Sequence, residues 1–228
     1  MFYPYDPTFI LLIPAMILAV YAQWKVQSTY AKMSEIRSRK GITGVDAGRK
    51  LLDDNGLTGV GIEQIPGNLT DNYDPRDKKL HLSESTYNSD SIAAIGVVAH
   101  EVGHAVQDAK AYAPLKLRSG LVPVANIGSQ LSIPLFFIGL IFGSPRLMDI
   151  GIVFFSIAVA FTIITLPVEF NASRRAIAML SGGGLVTKDE VPLAKKVLDA
   201  AALTYVAATA MAVLNLIRLL ALRGSRED

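Results

Sequence analysis

The sequence predicts a mainly α membrane protein, with about four transmembrane helices and a small α+β catalytic domain. Three observations predict it. The chain has 228 residues, of which 51% are hydrophobic and only 18% charged, with a mean hydropathy of +0.37; a soluble domain carries about 25% charged residues. Four apolar stretches approach the roughly 17–25 residues that a spanning helix requires. Between the first and second of them, a polar region holds the pattern His-x-x-x-His as His100-Glu101-Val102-Gly103-His104. A net charge of +2 gives no reason to expect nucleic acid as a partner. With no cysteine, disulfides and thiolate metal sites are excluded, so His and carboxylate are the available ligands.

Residues 1–24 form the first segment, with an apolar run over 8–24. Its flank, Met1 to Pro7, has no Lys or Arg, so it lacks the basic start of a cleaved signal peptide and is expected to stay as an anchor. Residues 25–114 form the catalytic domain. A helix over 21–40 leaves the membrane and breaks at Gly41. Thr43 caps a short amphipathic helix that ends at Gly56. Residues 59–65 alternate like a strand and stop at Pro66-Gly67, residues 71–77 have turn chemistry, and residues 78–83 alternate again. The expectation is a small antiparallel sheet, whose second strand lies at an edge where a peptide could pair with it. The run 91–99 has no proline and leads into the histidine pattern, with Ser89 or Asp90 as N-cap.

Residues 115–168 form a transmembrane hairpin. Its first arm, 121–143, carries Pro123, Asn126, Gln130 and Pro134, which suit a kinked or inward-facing helix; its second, 150–166, has no charge. Residues 169–199 form a connecting segment, in which Ser181-Gly182-Gly183-Gly184 is a loop and Val191-Pro192 opens a short helix. Residues 200–228 form a C-terminal apolar helix, containing Asn215 and Arg218, with a basic tail.

The chemistry starts from helix periodicity. Residues four apart share a face, so His100 and His104 can grip one Zn²⁺ through their ring nitrogens. Glu101 stands beside that face, where a general base is needed to take a proton from metal-bound water. A catalytic zinc usually has three protein ligands and one open position. A third ligand six residues after the second His would fall on Lys110, with Gln107 at the midway glycine, so that pattern fails. Asp108 lies four residues past His104 and about two turns from His100, where it is better placed to support a ligand from behind than to be one. The stronger candidate is Glu169, just past the third apolar stretch, where Pro167 fits the first turn of a new helix.

Together, Ala99-His100-Glu101-Val102-Gly103-His104-Ala105 and Pro167-Val168-Glu169-Phe170-Asn171-Ala172-Ser173-Arg174-Arg175-Ala176 resemble the YugP-like neutral zinc metallopeptidases of bacterial membranes. The resemblance covers most of the chain, including the Lys79-Leu80-His81-Leu82-Ser83 segment. It implies a zincin-like domain, one zinc held by His100, His104 and Glu169, and Glu101 as catalytic base. More distantly, the chain is similar to membrane gluzincins of the HtpX type, whose third ligand lies in Glu-x-x-Ala-Asp. Here Ser173 replaces that Asp, so its supporting role falls to Ser173, Asn171 or Asp108.

The function expected is a membrane zinc endopeptidase acting on protein or peptide substrates. His81, Tyr112, Arg174 and Tyr205 are candidate donors to the oxyanion. Two other readings compete: an intramembrane site-2-type protease, favoured by the apolar run before His100, and a non-proteolytic scaffold or chaperone subunit. The intact His100, Glu101 and His104 argue against the second. The lipid bilayer is an expected partner, with room for membrane-protein partners or an oligomer. The expected location is the bacterial plasma membrane. Lys and Arg between Lys25 and Lys50 put the catalytic domain on the cytoplasmic side, while Arg223 and Arg226 pull against a fourth crossing.

Overall fold

A computed structural model describes residues 7–225; Met1 to Asp6, most of the flank without Lys or Arg, and Arg226 lie outside the described residues. A 3-10 turn, Pro7–Leu12, leads into α1 (Ile13–Ser34). Then follow α2 (Gly44–Asp54), β1 (Gly61–Ile65), β2 (Asn72–Asp74), β3 (Lys79–Ser83) and the single turn α3 (Glu84–Tyr87). The chain continues through α4 (Ile92–Ala109), α5 (Ala113–Ile141), α6 (Pro145–Gly182) and α7 (Val191–Gly224). Two compact units result: the first takes in residues up to 23, 117–166 and those from 204 onward, and the second takes in 24–116 and 167–203.

The first unit is the membrane part. Among the described residues, four helices are long and apolar enough to cross a bilayer: Pro7–Ser34, Ala113–Ile141, Pro145–Gly182 and Val191–Gly224. Large side chains such as Ile17, Val20, Ile127, Phe142 and Val153 face outward, as side chains met by lipid would. Inside, Phe136, Met148 and Leu219 form a core. Helices α5 and α6 approach closely at Gly151, where a Cβ would come within 2.7 Å of Ser132 O and Phe136 N. Pro123 and Pro134 lie inside α5, as the composition of that stretch predicts.

Two helix boundaries differ from expectation. Pro167 does not open a new helix. It lies inside α6, whose 38 residues run unbroken and extend about 57 Å at 1.5 Å per residue. A membrane core is about 30 Å thick, so α6 has ample length beyond a crossing. Likewise Val191 opens no separate short helix but starts the 34-residue α7, which includes the fourth apolar stretch.

The second unit buries a large core, with a smaller cluster of Met33, Ala93 and Val197. Leu51 and Leu52 of α2, Leu80 and Leu82 of β3, Ile95, Val98 and Val102 of α4, and Leu180 of α6 meet in the large core. The predicted Thr43 cap is present, accepting from the Asp46 N–H, and Gly56 follows the helix with a left-handed φ of 73°. Helix α1 ends at Ser34, short of Gly41. Beyond it the backbone pairs with the segment before α4: Ser38 N–H donates to Asp90 O and Ile92 N–H to Ile36 O. The N-cap of α4 is Ser91, not Ser89 or Asp90; its hydroxyl accepts from Ala94 N–H.

The sheet is mixed rather than antiparallel. Its order is β1-β3-β2, with β1 parallel and β2 antiparallel to β3. The supposed turn around Asp71 to Asp77 contains a strand of its own, β2. This strand inserts a reversal between β1 and β3, so those two run the same way. It follows that β3 is central and β2 is an edge, contrary to the expectation that placed the second strand at the edge.

Candidate metal centre

Helix α4 is locally determined: a serine cap, no internal proline, and an apolar face of Ile92, Ile95, Val98, Ala99, Val102 and Val106 buried in the core. This packing fixes the helix rotation and so the direction of His100 and His104. Their rings lie perpendicular, with centroids 4.8 Å apart. One ligand atom from each of His100, Glu101 and His104 falls within 4.8 Å of the others.

Helix α6 brings Glu169 to the same point. The carboxylate is 2% exposed. Its Oε2 lies 3.2 Å from His100 Nε2 and 3.6 Å from His104 Nε2. Helices α4 and α6 come this close because Gly103 faces Ala172: a Cβ on Gly103 would stand 2.7 Å from Ala172 O. Thus the residue between the two histidines admits the helix that carries the carboxylate.

Behind the histidines a hydrogen-bonded chain sets their ring orientation. Gln107 is fully buried; its amide Nε2 donates to Val168 O at 2.8 Å and to Asn171 Oδ1 at 3.0 Å. Its Oε1 must therefore face His104 Nδ1, 3.0 Å away, and can only accept. So His104 carries a proton on Nδ1 and turns Nε2 toward Glu169. Arg175 Nε donates to Asn171 Oδ1 at 2.8 Å and extends the chain. On the other histidine, Ser173 Oγ is 3.2 Å from His100 Nδ1.

Glu101 projects to the side. Its Oε2 accepts from the Tyr73 backbone N–H of β2 at 3.0 Å. Burial pushes the Glu101 carboxyl above the ordinary carboxylate range, although His104 and His100 pull the other way. The Tyr73 hydroxyl donates to Asp108 at 2.8 Å, and Lys78 pairs with the same Asp108 oxygen. Asp108 therefore braces the strand that holds Glu101, and it bonds neither histidine. Burial, then the Asp108 hydrogen bond, raise the Tyr73 hydroxyl pKa well above its usual value.

Of the three residues considered for the missing Asp, Ser173 meets His100 directly and Asn171 meets His104 through Gln107. Gln107 itself escaped the sequence reading, which tested it only as a midway glycine. Its position three residues past His104, on the same helix face, was the available signal. Among the oxyanion candidates, His81 is in β3 with Nε2 3.4 Å from Asp77 Oδ2. Arg174 is exposed, and Tyr112 begins the link to α5, where its N–H donates to Gln107 O. Tyr205 belongs to the membrane unit.

The donor set fits a divalent ion. Ligands about 2.0–2.1 Å from a tetrahedral zinc stand roughly 3.3 Å from one another, close to the separations of Glu169 Oε2 from the two Nε2 atoms. Two imidazoles, each met on its Nδ1 side by a polar side chain, and one buried carboxylate form a donor set suited to a divalent metal, with no thiolate in it.

The comparisons agree with that chemistry. The chain belongs to the family described as "Putative neutral zinc metallopeptidase", whose model matches residues 8–224. It is 45% identical over 208 residues to the "Putative membrane protease YugP" of Bacillus subtilis (strain 168), covering 91% of this chain and 92% of that one. No solved structure matches. Membership in this family makes zinc the cofactor and a membrane zinc peptidase the class of protein.

Proposed function

We propose that this chain is a gluzincin-type endopeptidase in which His100, His104 and Glu169 hold one zinc and Glu101 is the general base. One observation carries the reading: the Glu169 Oε2 lies 3.2 and 3.6 Å from the Nε2 atoms of His100 and His104, so the three atoms converge on one point. When bound, zinc supplies Lewis acidity, polarising the scissile carbonyl and bringing a water pKa toward about 7.

The chain's own residues do the rest. Glu101 takes a proton from the attacking water and returns it to the leaving amine nitrogen. Tyr73 N–H holds one Glu101 oxygen, leaving the other to face that water. Gln107 and Ser173 keep both rings fixed while this happens. An extended peptide has a strand edge to follow at β2, next to Glu101.

The active face is proposed to be cytoplasmic, with proteins of the membrane or cytoplasm as substrates. The site-2-type reading is weakened because α4 is not among the four helices suited to crossing a bilayer. Its apolar face is used instead against α2 and β3.

Casein hydrolysis by the purified protein tests the proposal. Activity is expected to vanish with a chelator and return with zinc. Glu101→Gln is expected to retain about one zinc per chain and to lose hydrolysis; near-wild-type turnover by this variant would remove Glu101 from its role. Glu169→Ala is expected to lose zinc, and full metal content would exclude it as a ligand.

A further inference from the structure

Away from the metal centre, the second unit has a groove of about 480 Å³ between α1 and α7. Helix α1 lines it with Lys25, Ser28, Thr29 and Lys32. These stand at the i, i+3, i+4, i+7 spacing of a single helix face. Helix α7 lines it with Lys196, Asp199, Ala200 and Leu203, at the same spacing. Below them Met33 and Val197 pack with Ala93 and close the floor.

The groove is cationic. Lys25, Lys32 and Lys196 have no acidic partner among the described residues. The one carboxylate, Asp199, is already paired at 2.6 Å with Lys195, which is not part of the lining. The Ser28 hydroxyl donates to the Lys25 carbonyl at 3.2 Å, so three ammonium groups and the Thr29 hydroxyl form the donor set for a phosphate.

Its place in the chain tells which phosphate. On α1 the apolar stretch ends at Trp24, directly before Lys25; on α7 it begins at Ala200, directly after Asp199. On each helix the lining is thus next in sequence to an apolar segment. One turn of α1 before and at that junction, Tyr21 and Trp24 are 47% and 60% exposed, as interfacial aromatic anchors are.

We propose that this groove binds the phosphate of an anionic glycerophospholipid. The lysines supply charge attraction and Thr29 a neutral donor; a zwitterionic headgroup, which brings its own cation, is held less well by three ammonium groups.

Trp24, the only tryptophan, is a built-in reporter. The full chain is reconstituted in phosphatidylcholine vesicles, and its fluorescence is quenched with acyl-brominated phosphatidylglycerol or acyl-brominated phosphatidylcholine. Phosphatidylglycerol is expected to be preferred by at least about fivefold. The triple variant Lys25→Gln, Lys32→Gln, Lys196→Gln should abolish the preference, while arginine at the same positions restores it. A charge-matched control, Lys40→Gln, Lys110→Gln, Lys188→Gln, should keep it. If the triple variant does not reconstitute, each single groove substitution must still reduce the preference more than each single control. Equal quenching by both lipids in the wild type overturns the proposal. So does a preference that survives in the groove variants or falls equally in the controls. Loss of the preference on adding inorganic phosphate at constant ionic strength overturns the lipid source in favour of a soluble phosphate.

Discussion

Gln107 decides which nitrogen of His104 faces the metal position. A glutamine amide has distinct ends, and the carbonyl of Val168 can accept only from its NH₂ end. That leaves the oxygen for His104 Nδ1. Removing such a support typically costs 10–100-fold in metal affinity or activity. Accordingly, Gln107→Ala is expected to weaken zinc binding by about that factor, read by competition with a calibrated chelator. Asp108→Asn is expected to leave zinc affinity intact while lowering turnover, since Asp108 acts through Tyr73 on Glu101. A zinc loss in Asp108→Asn equal to that in Gln107→Ala would erase this distinction. At this scale the metal-facing residues were legible in the sequence, because His100 and His104 obey a fixed helical spacing. Their supports were less so. Ser173, Asn171 and Asp108 were open alternatives, since their roles depend on how α6 is rotated against α4, and local spacing carries no such information.

Helices α4 and α6 can meet only where side chains leave room. Gly103 provides it: a methyl group there would press on the Ala172 backbone, which as part of a helix cannot yield like a flexible side chain. Overpacking of this kind costs about 1–3 kcal/mol. Gly103→Ala is therefore expected to lower the melting temperature and also to reduce zinc retention, because the shift moves Glu169 from the histidines. Equal zinc content with a lower melting point would mean that the helices separate without moving the ligand. Element existence was well predicted where periodicity is long, as for the four apolar helices and α2. Direction was not. Alternation over residues 59–65 and 78–83 says which side chains share a face, but it is the same for parallel and antiparallel partners. The three residues of β2, hidden in a proline- and aspartate-rich turn, reverse the chain and so decide the sheet.

Charge placement sets which face of the membrane the whole molecule presents its metal centre to. The cationic run from Lys25 to Lys50 follows the first crossing, and positively charged flanks stay inside. The sequence alone sets this against Arg223, which a fourth crossing carries outside. The structure of the membrane unit eases that conflict. Arg223 Nε donates to Asp149 Oδ1 at 2.8 Å, and the Arg223 side chain is only 16% exposed. Leu219 packs with Phe136 and Met148, and Leu222 lies against the same cluster. The end of α7 is therefore level with the turn between α5 and α6, and its charge is met by a carboxylate rather than left to the positive-inside rule. With four crossings, the cytoplasmic orientation proposed above would put residues 24–116 and 167–203 inside and the 142–145 turn outside. Because the chain has no cysteine, single substitutions report cleanly. In intact cells, a membrane-impermeant maleimide is expected to label Ser144→Cys and Ser225→Cys, but to label Asn68→Cys only after the membrane is opened. Labelling of Asn68→Cys alone would put the peptidase on the outer face. Protection of Ser225→Cys together with labelling of Ser144→Cys would mean that α7 does not cross, and would leave the Arg223–Asp149 pair without a place in the membrane-inserted protein.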